Sequence, residues 1–229
     1  FVLYERLRLM WRVWRVKRRA GRISHGEIEV PLLPFLVPAR VSVDVGANKG
    51  ALTYILAQYS ARVVAYEANP NLFKKLQQAL GSRVDLRHKA AGKEKGVLTF
   101  FVPTSQQGRE LPNIGSLKEN SAYSSKHYHV DCVRLDDEQL ADVGFIKIDV
   151  EGTELDVLQG ALGVIARDRP VLMIEINDKM TDDAQEIERL LKMMAYQIVD
   201  FSQKTMRLVE HVQDVDNRNV LFMPLKKTQ

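Results

Sequence analysis

Short apolar runs and amphipathic stretches alternate along most of this chain. Residues 41–45 (VSVDV), 62–67, 83–88, 144–149 and 171–176 are compact runs rich in Val, Ile and Leu, the pattern of buried strands. Between them, residues 49–59, 70–80, 153–167 and 182–194 carry apolar positions at helical spacing. Asn69 precedes Pro70 as a helix cap, and Asp182 and Asp183 place negative charge in a first turn, where the helix dipole favours it. Residues 97–102 and 128–135 have strand character. Residues 196–201 and 219–223 form a closing pair. Strands alternating with helices predict an α/β fold: a three-layer α/β/α sandwich around a largely parallel sheet.

Two segments break the pattern. Residues 103–127 form a polar insertion, either an unstructured loop or a substrate lid. Residues 1–38 precede the first core strand, so the expected organisation is an N-terminal extension over 1–38 and one domain over 39–229. In the extension, Leu3, Leu7, Met10, Trp11 and Trp14 share one helical face, with Arg and Lys mostly on the other. This helix either docks on the body or on a second copy, giving a homodimer, or lies on a membrane surface. Pro31, Pro34 and Pro38 mark an irregular lead-in.

Charge sharpens this division. The chain of 229 residues has a formal net charge of +4. Residues 1–22 hold eight Arg/Lys against Glu5 alone, so the remainder is mildly acidic. With no basic stripe through the body, nucleic acid is not the expected partner. One cysteine, Cys132, excludes an internal disulfide framework and suits a reducing compartment. No apolar run reaches a membrane-span length. The expected location is cytoplasmic, with peripheral contact at the inner membrane face through residues 1–22.

The densest chemistry lies at strand ends. Residues 41–50 (VSVDVGANKG) run from an apolar strand through Asp44 into a turn bounded by Gly46 and Gly50. The next strand ends in Glu67, 23 residues after Asp44. A strand–turn–helix–strand unit with an acid at the second strand tip is how α/β proteins hold nucleotide-like cofactors. Starting at Gly46, Asn48 and Ala51 stand where a dinucleotide turn needs glycine, which disfavours an NAD-dependent oxidoreductase. No phosphate loop is present. A cofactor with a ribose and a charged head but no phosphate, S-adenosylmethionine, fits better. Its amino-acid part would meet the turn and Asp44, and its ribose diol Glu67, since a carboxylate accepts two hydrogen bonds. The bland alternative is that both acids merely end strands.

A second constellation, residues 145–154 (FIKIDVEGTE), delivers Asp149 and Glu151 to a strand's carboxyl end and Glu154 into a helix. Such carboxylates can take a proton from a hydroxyl, supply a negative field beside a cationic cofactor, or bind a hard divalent ion. Glu154 reads equally well as helix-dipole pairing. Lys147 shares a strand face with Asp149 and needs an acid partner there. Glu175 ends the next strand and is a further candidate. His127 and His129 lie two apart with no third metal ligand in view, so no metal site is expected.

These motifs resemble the FkbM family of S-adenosylmethionine-dependent methyltransferases. The resemblance rests on residues 43–50 (VDVGANKG), 65–70 (AYEANP), Ala90 and Ala91 before the 96–100 strand, 115–117 (GSL) and 146–154 (IKIDVEGTE), spanning about residues 41–177. It implies the class I methyltransferase fold, Rossmann-like, with a seven-stranded sheet and one reversed edge strand. It implies O-methylation of a sugar or polyketide hydroxyl, with a small-molecule or glycan acceptor and S-adenosylhomocysteine as product. By that resemblance Asp44, Gly46, Ala47, Asn48, Gly50, Glu67, Ala68, Ala91 and Asp149 are expected at the cofactor, and Asp149, Glu151 and Glu175 at the reacting centre. Where relatives carry His after the fifth-strand Glu, this chain has Asn177, which moves the base to the acid edge or to a His of the insertion. The competing reading is a non-catalytic binding module on the same fold, attached to a membrane or partner through residues 1–22.

Overall fold

The computed structural model describes residues 33–225, apart from residues 81, 83, 106, 112–114, 119–123 and 202–205. The expectations for residues 1–22 lie outside the described residues. A short helix α1 (Leu33–Leu36) leads into β1 (Val41–Val45), α2 (Ala51–Leu56), β2 (Arg62–Tyr66), α3 (Pro70–Leu80), β3 (Asp85–Arg87) and β4 (Ala90–Ala91). Then come β5 (Gly96–Pro103), β6 (Ser125–Val133), β7 (Val143–Ile148), α4 (Glu154–Gln159), α5 (Leu162–Asp168) and β8 (Val171–Glu175). The chain continues through α6 (Asp182–Met193), β9 (Tyr196–Phe201), β10 (Met206–Val209) and β11 (Asn219–Pro224).

The main sheet has eight strands in the order β10-β9-β11-β8-β7-β1-β2-β3. β1 pairs in parallel with β2 and β7, and β7 with β8. The three-layer α/β architecture is the one the alternation predicts. The seven strands expected are present, and β10 adds an eighth, antiparallel to β9. Two strands run against the rest: β10 at the edge, and β11, which lies between β8 and β9 and is antiparallel to both. The β10 segment was not legible because its side chains are all exposed or half-buried, which leaves no apolar face to read.

Strand side chains alternate between two cores. Val43, Val45, Ile146 and Ile148 pack with Val157, Ile165, Ile187 and Leu191 of α4, α5 and α6. Val63, Ala65, Phe145 and Met173 pack on the other face with Leu33, Leu36, Leu56, Leu76 and Leu80 of α1, α2 and α3. Leu33, Leu36 and Val37 are buried, so the core of the body begins before the expected boundary at Pro38. The single helix expected over 153–167 is two. The backbone N–H of Asp136 donates to the Gly160 carbonyl, while its carboxylate accepts from the N–H groups of Gly163 and Val164, which starts α5 afresh.

β5 and β6, expected only as strands, leave the main sheet. With β4 they form a separate sheet in the order β4-β6-β5. Its apolar face (Phe100, Val102, Val130, Cys132) packs with Ala68 and Leu117. This small sheet stands over the carboxyl ends of β1 and β2 and walls one side of a cleft. Among the described residues, no helix is long and apolar enough to cross a membrane.

Candidate active site

Chain direction reverses outward from β1: β2 and β3 lie on one side, β7 and β8 on the other. The carboxyl ends of β1 and β7 therefore open a crevice, where α/β sheets bind ligands. A cleft of about 550 Å³, open solvent at its mouth included, occupies it. Its walls come from the β1 turn (Gly46, Asn48), the β2 tip (Glu67, Ala68), the β4 strand (Ala90, Ala91) and the β7 tip (Asp149, Val150, Glu151), closed by Phe100 and Leu117.

Gly46 is required where it sits. Its φ is +83°, and a Cβ would lie 1.8 Å from the Asp149 carbonyl oxygen. The two strand tips thus meet through bare backbone. Gly46 and Ala47 both donate their N–H groups to the Tyr66 carbonyl at 3.0 Å, fixing the turn on β2.

Glu67 is 5% exposed. One carboxylate oxygen accepts the Asn48 N–H at 2.7 Å and the other accepts the Asn69 N–H at 2.8 Å. Each oxygen keeps a further acceptor site, the arrangement a vicinal diol needs. Burial pushes its pKa up to about 7, against the two backbone hydrogen bonds. The side chain is thus held in place by the turn it belongs to.

Asp44 lies beneath the cavity and does not line it. It is fully buried, accepts a 2.6 Å hydrogen bond from the Thr53 hydroxyl and has Lys147 Nζ at 3.7 Å. Asp44 and Lys147 are cross-strand partners in the β1–β7 register. The Lys147 ammonium also donates to the Gly46 carbonyl at 3.0 Å and meets Asp149 at 3.0 Å. Burial pulls its pKa down, but Asp44 and Asp149 outweigh burial and leave it above the ordinary lysine value. Lys147 is therefore the acid-paired lysine its position required. Ala47 packs in the helix-side core, and Gly50 starts α2 beside Leu76, so neither reaches the cavity.

Asp149, Glu151 and Glu175 converge, with carboxylate oxygens within 4.8 Å of one another. β7 and β8 are parallel neighbours, which brings Asp149 and Glu175 side by side at their tips. Burial, then the Asp149 charge and hydrogen bond, push Glu175 up to about 7. The Asn177 amide donates to Glu175 at 3.2 Å. Glu151 is raised as well, by burial and then by Asp149 and Glu154. It adopts a φ of 60°, unusual for a side-chain-bearing residue, and its carbonyl accepts the Ser116 hydroxyl at 2.7 Å. Glu154 bonds the N–H groups of Val150 and Gly152 and so braces the acid turn. It does not line the cavity.

The histidines do not join this centre. His127 meets the edge of the Phe101 ring at 5.0 Å, and both His127 and His129 are exposed on β6. The structure also adds liners that the sequence reading passed over: Lys89, Leu72, Phe100 and Leu117. Leu72 falls within the 70–80 helical stretch, while Phe100 and Leu117 fall within the 96–100 and 115–117 stretches that carry the family resemblance. Lys89 is held by Glu138 at 3.0 Å.

Residues 44–198 match the methyltransferase FkbM domain, and the chain belongs to that family of methyltransferases. S-adenosylmethionine is the methyl donor of such enzymes. Among solved structures, the FkbM methyltransferase of Methylobacillus flagellatus KT is similar at 22% identity and a TM-score of 0.52, over 79% of this chain. This chain spans 42% of that protein's length. An rRNA methylase from Streptococcus thermophilus is similar at 14% identity and a TM-score of 0.52, over 90% of this chain and 100% of that one. At these identities the two structures speak for the fold alone. A search of curated proteins by sequence returned no match.

Proposed function

We propose that the protein is an S-adenosylmethionine-dependent O-methyltransferase acting on a hydroxyl of a carbohydrate, glycolipid or related natural product. The observation that supports it most is Asp149 on the cavity wall, held by Lys147, with Glu175 beside it outside the wall and poised near neutrality. The cavity fits the cofactor by its donor set. A buried carboxylate, Glu67, offers two free acceptor sites for a diol, and the bare Gly46 turn admits a close ligand. Ala68 and Ala91 leave flat apolar wall for a base.

When bound, the cofactor supplies an electrophilic methyl group on a sulfonium. The protein's own work is to align the acceptor oxygen and to receive its proton. Orientation can be worth ~7–11 kcal/mol of barrier. Asp149 and Glu175 would receive the proton that the acceptor hydroxyl loses when it is methylated. Burial and the neighbouring Asp149 charge push Glu175 up to about 7, so it carries a proton at acid pH and becomes an acceptor above neutrality. Asn177, in place of a histidine, orients Glu175 through its amide.

The test is a screen of hydroxyl acceptors with labelled S-adenosylmethionine, run on the intact protein and on Glu175→Gln. Turnover should fall by ~10²-fold or more in the variant, with S-adenosylhomocysteine still bound. Undiminished turnover would remove Glu175 from the chemistry.

A further inference from the structure

The turn that carries Glu151 is held in an unfavourable shape. Glu151 has a φ of 60° and Gly152 one of 110°, two positive values in succession. A residue with a side chain stays there only where its surroundings hold it, and such positions gather at functional sites. The peptide plane between the two residues is clamped at both ends. Its N–H, that of Gly152, donates to both carboxylate oxygens of Glu154 at 3.1 Å. Its carbonyl, that of Glu151, accepts the Ser116 hydroxyl at 2.7 Å. The first clamp is local, two residues along the chain. The second comes from the insertion, 35 residues earlier.

Ser116 is seated without help from its hydroxyl. Its backbone N–H donates to the Phe101 carbonyl at 3.0 Å, and its carbonyl accepts the Phe101 N–H at 2.8 Å, a bridge onto β5. Gly115 lies so close to Phe100 that a Cβ would stand 2.7 Å from the ring. Leu117 packs on the apolar face of the small sheet. Lys118 runs beside Gly152, and its ammonium stands 3.6 Å from Asp183 at the start of α6. Residues 115–118 therefore cross the acid turn and are anchored on either side of it. The Ser116 oxygen also accepts the Lys118 N–H at 3.0 Å, which leaves its proton for the Glu151 carbonyl.

We propose that Ser116 is a positioning residue of the acid centre: its hydroxyl fixes the 151–152 peptide plane and so keeps the Glu151 carboxylate beside Asp149 and Glu175. The inference rests on the methyltransferase reading for what that centre does; the clamp itself is a matter of geometry. Glycine at 152 tolerates either orientation of this peptide plane. Without the hydroxyl only Glu154 opposes its rotation, and Glu151 is released from its left-handed conformation toward solvent. The insertion then does more than wall the cleft. Residues 115–118 must be seated on the acid turn for the three carboxylates to converge.

The titration of Glu151 reports its place. Burial raises its pKa most, then Asp149 and Glu154, while Lys147 and Arg218 lower it. Glu175 shares its cluster, and Lys118 lies beyond Gly152. Release into water removes the largest of these influences. NMR titration of the whole chain with ¹³C-carboxyl glutamate reads this without an acceptor, with Glu151→Gln to assign the resonance. In Ser116→Ala the Glu151 titration should fall toward the ordinary glutamate value, and Glu175, which Glu151 helps to raise, should follow it by less. Ser116→Thr keeps the hydroxyl and should titrate like the native protein. Ser116→Val matches threonine in shape, should titrate like Ser116→Ala, and carries the test should the alanine variant fail to fold. Glu67 should titrate unchanged in every variant. An unmoved Glu151 in the variants without a hydroxyl, a Glu67 that moves with it, or a threonine that does not restore it would overturn the positioning role. Calorimetry with S-adenosylhomocysteine is the separate arm: no binding to intact protein would overturn the methyltransferase reading and leave the positioning of Glu151 standing.

Discussion

Glu67→Gln probes the part of the site that sequence and structure describe most fully. In the native protein the carboxylate takes two backbone N–H groups, from Asn48 and Asn69, while 5% exposed. Burial raises its pKa from 4.5 to about 7. Between those values the folded protein holds more protons than the unfolded chain. Glu67 therefore contributes its full stability below pH 4.5, and that contribution is lost as pH rises through about 7. At 1.36 kcal/mol per pH unit the loss is about 3 kcal/mol. Glutamine cannot titrate, so the gap in unfolding free energy between native protein and variant should narrow by that amount from pH 4.5 to 8. The amide also presents a donor where two donors already point in. One backbone N–H then goes unpaired, a fixed cost of ~1–3 kcal/mol at every pH. Ligand binding should show the opposite slope. A diol donates best to the ionised acid, so S-adenosylhomocysteine affinity in the native protein should fall toward tenfold per pH unit below 7, and Glu67→Gln should remove that part of the slope. Urea unfolding and calorimetry across pH 5–8.5 measure both. Parallel stability curves for the two proteins would refute the buried, neutral-leaning carboxylate. Equal affinities at pH 8 would refute its role at the ribose.

Two further substitutions test how the turn is built. Gly46→Ala must both hold a left-handed φ and push the Asp149 carbonyl away from a Cβ at 1.8 Å, so thermal unfolding should show a loss of ~2–5 kcal/mol and cofactor binding should weaken with it. Thr53→Val removes the hydroxyl that donates to fully buried Asp44 and should cost ~2–3 kcal/mol; an unchanged melting temperature would mean Lys147 alone satisfies that acid.

Local pattern was enough for the class of fold and for the position of the cleft. The 41–45 and 144–149 runs are rich in apolar residues and end at a glycine turn or an acid, the pattern of a buried parallel strand with a ligand edge. Glu67 was legible because a strand tip 23 residues after Asp44 has one place to go in a strand–helix–strand unit. Helix α3 was legible to its ends, because Asn69 and Pro70 signal a start by local hydrogen bonding; the Asn69 side chain indeed accepts the Asn71 N–H at 2.9 Å. What lay between distant segments was not legible. Asp44 sits beneath the floor because α2 brings the Thr53 hydroxyl to it and the β1–β7 register sets Lys147 opposite it. Glu175 acquires a pKa near 7 only because β8 packs beside β7 and brings Asp149 to it. Phe100 and Leu117 read as ordinary apolar residues until the small β4-β6-β5 sheet folds over the crevice. Periodicity records which way a side chain faces relative to its own backbone. Which charges share a cavity, and how far each is removed from water, depends on contacts between segments far apart in the chain, and the tertiary structure alone decides them.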